Sequence, residues 1–206
     1  MVLKNFVVFE GIDGAGTSTQ IKLLQNSEHS GKFDFSAEPG TAETGRFLRK
    51  VLSGEIELDT RTTAYLFAAD RAEHIYAKGG IAQKAASGKI CVSDRYLFSS
   101  IAYQGVTCGE ELPRLINSPF PLPEILFFFK IDPEISLARI GGRGTKEIYE
   151  KIDFLKETEK RYEKIIDEYR NIGERSEGMR VIILDAAKPA EEVNLEIIKE
   201  LGEKLA

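Results

Sequence analysis

Directly after a short apolar run, Phe6–Phe9, the chain reads Gly11-Ile12-Asp13-Gly14-Ala15-Gly16-Thr17-Ser18-Thr19. A glycine-rich turn between a buried strand and a helix lets backbone N–H groups converge on phosphate oxygens. Glycine reaches dihedrals closed to other residues and lets the phosphate approach closely. The helix that follows adds free N–H groups and the positive end of its dipole. Gly11, Gly16 and Ser18 satisfy the phosphate-loop spacing of glycine, four residues, glycine, lysine, then serine or threonine. Thr17 stands where the lysine belongs. That lysine brings positive charge to the β- and γ-phosphates. Without it, the loop by itself describes a tight turn in an ordinary α/β protein equally well.

Four later segments carry further chemistry. Glu38-Pro39-Gly40 leads into a helix bearing Arg46 and Arg49. Tyr65-Leu66-Phe67-Ala68-Ala69-Asp70-Arg71 places Phe67 and Arg71 four residues apart, on one helix face. Ser93-Asp94-Arg95-Tyr96 follows an apolar run, at the strand edge where open α/β sheets bind ligands. Ser99-Ser100-Ile101-Ala102-Tyr103-Gln104-Gly105 comes next. Singly, each has an ordinary alternative: Phe67 as core, Arg71 in a surface ion pair with Asp70 or Glu73, Asp94 as a helix cap.

The elements that must position these residues alternate in type. Phe6–Phe9, Ile90–Val92, Ile125–Phe129 and Val181–Leu184 read as buried strands, with Phe33–Phe35 as a weaker fifth. Helical spacing covers Ser18–Ser27, Thr44–Leu52, Thr60–Ala86, Pro133–Ile140, Glu147–Gly173 and Pro189–Leu205. Such alternation implies a parallel sheet with right-handed crossovers and helices on both faces. The 206 residues show no repeat, linker or break in composition, so a single domain is expected.

A net charge of −5 opposes general nucleic-acid binding, which needs a strong positive field. No apolar stretch approaches a membrane span, and Phe6–Phe9 is too short for a signal-peptide core. Cys91 and Cys108 give neither a disulfide framework nor metal-ligand spacing, and Cys91 reads as a small core residue. His29 and His74 have no partner pattern and read as surface residues. A cytoplasmic protein is expected.

Taken together, in order and spacing, the segments resemble thymidylate kinases. The resemblance rests on Phe9-Glu10-Gly11-Ile12-Asp13-Gly14-Ala15-Gly16 with Ser18-Thr19-Gln20, on Glu38-Pro39-Gly40 with Gly45 and Arg49, and on Phe67-Ala68-Ala69-Asp70-Arg71. Asp94-Arg95-Tyr96 with Ser99-Ser100 and Ala102-Tyr103-Gln104-Gly105 is its most specific part. It implies the P-loop nucleoside monophosphate kinase fold, about five parallel strands with helices on both faces. It also implies ATP, Mg²⁺ and dTMP as ligands, and a homodimer. Arg95 and Arg49 would hold the acceptor phosphate, Phe67 would stack on thymine, and Arg71 would bond its carbonyl edge with Ser100 nearby. Tyr103 would lie against the sugar and disfavour a 2′-hydroxyl. Asp13 would approach the sugar or acceptor phosphate, and Glu38, Ser99 and Gln104 would complete the dTMP site. Gly11, Asp13, Gly14, Ala15, Gly16, Thr17, Ser18, Thr19 and Arg139 would serve ATP, with Ser18 and Asp94 beside Mg²⁺.

One branch of the family carries an arginine inside the glycine loop; the bacterial branch takes it from a lid. Gly14 occupies that loop position, so the resemblance is to the lid type. The lid falls at about 139–150, starting Arg139-Ile140-Gly141-Gly142-Arg143-Gly144-Thr145-Lys146, with Arg143 as its cation. Where the family has Asp-Arg-Phe-Glu, this chain reads Glu147-Ile148-Tyr149-Glu150, losing a second lid arginine. Arg95, Arg143 and Asp13 are the expected catalytic residues. The missing cations leave two alternatives open: a kinase for another pyrimidine nucleotide such as dUMP, or a catalytically impaired nucleotide-binding protein.

Overall fold

The computed structural model describes residues 1–141, 152–175 and 178–205. Five strands, β1 (Val2–Glu10), β2 (Phe33–Ala37), β3 (Ile90–Asp94), β4 (Leu122–Lys130) and β5 (Arg180–Asp185), form one sheet in the order β2-β3-β1-β4-β5. Every pairing is parallel. Parallel strands need crossovers, and these are supplied by α1 (Thr17–Gln25), α2 (Glu43–Leu52), α3 (Thr60–Tyr76), α4 (Ile81–Ala86) and α5 (Leu97–Cys108). The later connections run through α6 (Glu111–Asn117), α7 (Pro133–Ile140), α8 (Ile152–Arg175) and α9 (Ala190–Leu201). Helices on both faces bury Phe6–Glu10 of β1 and Ile125–Phe129 of β4, which is why Phe6–Phe9 and Ile125–Phe129 are apolar at successive positions.

Two departures from the sequence expectation have local causes. The single helix expected over Thr60–Ala86 is two, α3 and α4, interrupted at Gly79-Gly80. Gly79 has φ +78°, and a Cβ on Gly80 would lie 2.8 Å from the Ile75 carbonyl, so the chain turns where no side chain fits. The segment after Arg95-Tyr96, read only as a row of chemical groups, is the helix α5. It lies against α3, α6 and α8 and is buried at Leu97, Phe98, Ser100, Ile101, Ala102, Tyr103, Gln104 and Gly105. A helix covered on most sides lacks the polar face that gives a periodic signal.

The sheet order places a switch point at β1: the chain leaves it toward β2 and β3 on one side, and β4 and β5 lie on the other. Ligands of open α/β sheets occupy the crevice beyond the carboxyl ends of the strands at such a point. The glycine loop after β1 and Asp94-Arg95 at the end of β3 meet there, and the Arg95 N–H donates to the Phe9 carbonyl at 2.9 Å.

Candidate active site

Two cavities open at this edge, of about 480 and 630 Å³, and both are lined by Asp13 and Arg95. The smaller is walled by Glu38, Arg49, Phe67, Arg71, Ser99, Ser100, Tyr103 and Gln104. All ten residues expected around the acceptor nucleotide therefore surround one cavity.

Its floor is a buried polar cluster. Arg71, 1% exposed, donates through Nη2 to Glu38 Oε2 at 2.6 Å and to Ser100 Oγ at 3.1 Å. Its Nη1 bonds Asn117 Oδ1, and its guanidinium lies over the rings of Tyr96 and Phe120. The ordinary alternative of a surface pair with Asp70 or Glu73 is thus excluded: Asp70 points elsewhere, accepting from the Gly40 N–H and the Thr44 hydroxyl, both at 2.6 Å. Its carboxylate and Arg49, which bonds the carbonyls of Gly40 and Pro39, clamp the 38–40 turn, whose Glu38–Pro39 bond is cis. Gly45 makes the clamp possible, because a Cβ there would lie 2.0 Å from the Gly40 carbonyl oxygen. His74, expected at the surface, instead sets Nδ1 3.1 Å from Glu38 Oε1 with its side chain only 12% exposed. Arg46 stays outside, paired with Glu43.

Arg95 bridges the cavities. Its guanidinium reaches Asp13 Oδ1, the Gly11 carbonyl at 3.2 Å and Ser99 Oγ at 3.3 Å, and lies 5.1 Å from the centre of the Tyr103 ring. Tyr103 Oη–H donates to Asp13 Oδ2 at 3.1 Å and accepts from the Asp13 N–H at 3.0 Å. The Arg95 backbone sits at φ +72°, a left-handed conformation that costs a non-glycine residue about 1–3 kcal/mol. The Ser93 hydroxyl, donating to the Arg95 carbonyl at 2.7 Å, helps hold it there. Behind it lies Glu10, fully buried, whose carboxylate accepts from the N–H groups of Tyr96 and Ser99 and from the hydroxyls of Ser99 and Tyr162. Burial raises its pKa to about 7, against the opposing pull of Ser99, Arg95 and Tyr162.

The larger cavity is lined by Gly14, Ala15, Gly16, Thr17, Ser18 and Thr19, by Arg139, and by Asp94, Ala186 and Lys188. Gly11 sits behind the loop, where a Cβ would meet Ala15 and the Phe129 carbonyl at 2.9 Å. Gly14, at φ +82°, would place a Cβ 2.7 Å from the Ser136 carbonyl, so a loop arginine does not fit there while α7 keeps its place. α7 is tied to the loop because Ser136 Oγ bonds the Asp13 carbonyl. Arg139 Nη1 donates to the Ala186 carbonyl at 3.0 Å, so it joins the wall that the turn after β5 gives this cavity.

Among the described residues no three His, Cys, Asp or Glu side chains cluster closely enough to hold a metal ion by themselves. Ser18 Oγ donates to Asp94 Oδ2 at 2.8 Å, while Asp94 Oδ1 is buried with no partner among the described residues. One hydroxyl and one spare carboxylate oxygen suit Mg²⁺, which takes few protein ligands and keeps nucleotide oxygens and water. Arg143, Lys146 and the changed Glu147-Ile148-Tyr149-Glu150 lie outside the described residues.

Sequence reasoning did not assign Glu10, His74, Asn117, Lys50 or Lys188 to the site. Position alone could have flagged two of them: Glu10, one residue before the glycine loop, and Lys50, next to Arg49. Lys50 and Lys188 line the smaller and the larger cavity, while His74 and Asn117 stand behind the smaller one, bonded to Glu38 and Arg71.

The fold and this pair of cavities define a P-loop nucleoside monophosphate kinase. A family model described as thymidylate kinase matches residues 9–197. A thymidylate kinase from Geobacillus sp. is 36% identical over 197 residues, 91% of each chain. Proteins provisionally named thymidylate kinases in Treponema pallidum and Methanocaldococcus jannaschii are each 40% identical, covering 98% and 96% of this chain and 97% and 96% of their own. The chain belongs to the thymidylate kinase family, whose reaction is phosphorylation of dTMP to dTDP at the expense of ATP.

Proposed function

We propose that this chain transfers the γ-phosphoryl group of ATP to the 5′-phosphate of dTMP at the junction of the two cavities, giving dTDP and ADP. The observation that carries this reading is the shared wall: among the described residues Asp13 and Arg95 alone line both cavities, so donor and acceptor phosphates meet beside one guanidinium. Such transfer needs alignment and neutralisation of charge, with no covalent enzyme intermediate.

The smaller cavity takes dTMP. Phe67 and Arg71 offer a ring face and a buried donor to a pyrimidine, and Arg49 and Arg95 offer guanidinium forks to its phosphate. The Tyr103 ring, held by its two bonds with Asp13, crowds the place of a sugar 2′-hydroxyl. The glycine loop and the α1 N-terminus cradle the ATP phosphates in the larger cavity, with adenine toward Ala186 and Arg139. Thr17 contributes a hydroxyl in place of a cation. Mg²⁺ beside Ser18 and Asp94 would add positive charge on the donor phosphates. Arg143 keeps its assignment as lid cation on family resemblance, within one domain carrying a lid at 139–150.

We further propose a homodimer, supported by the apolar side chains that α3 and α6 leave exposed, Tyr65, Tyr76 and Leu115. A cytoplasmic location is supported by two free cysteines, which suit a reducing compartment. No helix among the described residues is long and apolar enough to cross a membrane.

The test is ADP release from ATP and Mg²⁺ with dTMP, dUMP, TMP or dCMP as acceptor. Selective turnover of dTMP is expected. Measurable dTMP binding without turnover on any acceptor would instead make the protein a nucleotide-binding module with decayed catalysis, the reading that Thr17 favours.

A further inference from the structure

We propose that Glu10 is a positioning residue for phosphoryl transfer: its carboxylate fixes the start of α5, and with it the Arg95 side chain, against the end of β1 and against α8. This inference rests on the kinase reading above and assigns a role to a side chain that lines neither cavity.

The first backbone N–H groups of a helix have no partner within it, and the residue that opens α5, Tyr96, offers no side-chain cap. Glu10 supplies the cap from another element. Oε1 accepts from the N–H of Tyr96 at 2.8 Å and of Ser99 at 3.1 Å. Oε2 accepts from the hydroxyl of Ser99 and from that of Tyr162, the latter at 2.8 Å. Ser99 Oγ in turn lies 3.3 Å from Arg95 Nη1 and 2.8 Å from Tyr162 Oη. One carboxylate therefore joins β1, α5 and α8 within a bond of the guanidinium shared by both cavities.

An acceptor-only group is required for this arrangement. All four partners donate, and a carboxyl that carries a proton gives up part of its accepting capacity. A buried carboxylate is costly where a neutral or apolar side chain would pack as well. Among the described residues it faces no direct salt-bridge partner: Arg95 acts at longer range, Tyr162 is the other titratable neighbour, and Phe128 is its register partner on β4. Its presence is explained by what it holds. Arg95 has a backbone conformation that its own side chain disfavours, and the residue that follows it is the first donor to Glu10.

The geometry also gives a kinetic signature. Glu10 performs this task when ionised, and with burial raising its pKa to about 7 the change of state falls inside the assay range. Activity should therefore rise as pH increases through about 7.

The experiment compares wild type with Glu10→Gln and Tyr162→Phe, measuring kcat and KM for dTMP from pH 6 to 9, dTMP affinity by calorimetry, and thermal stability. Glu10→Gln keeps the shape and the Oε1 acceptor but replaces Oε2 with a donor. At pH 8 it should lower kcat by about tenfold to a hundredfold and weaken dTMP binding, and its rate should lose the limb near pH 7. Tyr162→Phe removes one donor to the ionised form, so its limb should move to higher pH, with little further loss when combined with Glu10→Gln. A folded Glu10→Gln protein with wild-type kcat, dTMP affinity and pH profile would overturn the role. So would a Tyr162→Phe limb that stays in place, which keeps the inference testable if Glu10→Gln does not fold. A wild-type protein that binds dTMP without turnover ends the kinase reading alone, because the effect of Glu10→Gln on dTMP affinity still decides whether Glu10 positions Arg95.

Discussion

Replacing Glu38 by glutamine tests the floor of the smaller cavity, the proposed acceptor site. The side chains of Arg71 and Glu38 are 1% and 3% exposed and meet at 2.6 Å. Asn117 and Ser100 also bond the guanidinium, but neither carries charge. Removing one partner of a buried pair leaves the other charge uncompensated, at a cost of about 3–5 kcal/mol. In a chain of this size each kcal/mol moves the melting temperature by about 2–4 °C, so Glu38→Gln should lower Tm by about 10 °C. The loss should extend to the ligand. Wild-type protein with dTMP at about a hundred times its Kd gains about 2.7 kcal/mol of stability. In the variant, Arg71 is no longer held by a charge, and His74 loses the carboxylate oxygen beside its Nδ1. The dTMP-induced rise in Tm should shrink, and KM for dTMP should increase about tenfold while KM for ATP stays unchanged, because Glu38 lines only the smaller cavity. Calorimetric melts with and without dTMP, and steady-state rates against each substrate, measure both effects. A Tm within about 2 °C of wild type, with the dTMP shift intact, would refute the reasoning, since it would mean that water already reaches this pair.

Three further outcomes follow from the geometry. Stability should fall as pH rises from about 5 to 9, read as Tm in a pH series. Burial lifts Glu10 from 4.5 to about 7, and burial with the nearby Glu163 lifts Glu159 to about 8, so the folded state keeps protons that the unfolded chain releases above 4.5. The Glu10 contribution alone is about 3 kcal/mol, and Glu159→Gln should flatten the upper part of the slope; a level series would contradict this. Gly45→Ala forces α2 away from the 38–40 turn, since no Cβ survives 2.0 Å from a carbonyl oxygen. It should raise KM for dTMP, measured in the ADP-release assay, with kcat less affected. Thr17→Lys restores a cation at the donor phosphates and should increase kcat by about tenfold or more; a decrease would show that the charge is already supplied from elsewhere.

Residues close together in sequence made much of this site legible. The glycine loop, Asp94-Arg95 and the Phe67–Arg71 spacing each lie on one turn or one helix face, so local geometry alone brings their groups together. The strands were equally legible, because a parallel sheet covered on both faces requires unbroken apolar runs such as Phe127-Phe128-Phe129. Four matters were settled only by the tertiary structure. The helix α5 hid because burial on most sides erased its period, and the break before α4 depended on how closely Gly80 approaches the end of α3. The partners of Arg71 come from residues 33, 29 and 46 positions away, Glu38, Ser100 and Asn117. Glu10 meets Tyr162 across 152 residues. Sequence determines which groups are available and which stretches must be buried. Which donor meets which buried acceptor depends on the packing of distant segments, because a polar atom removed from water takes the partner that the fold leaves within reach.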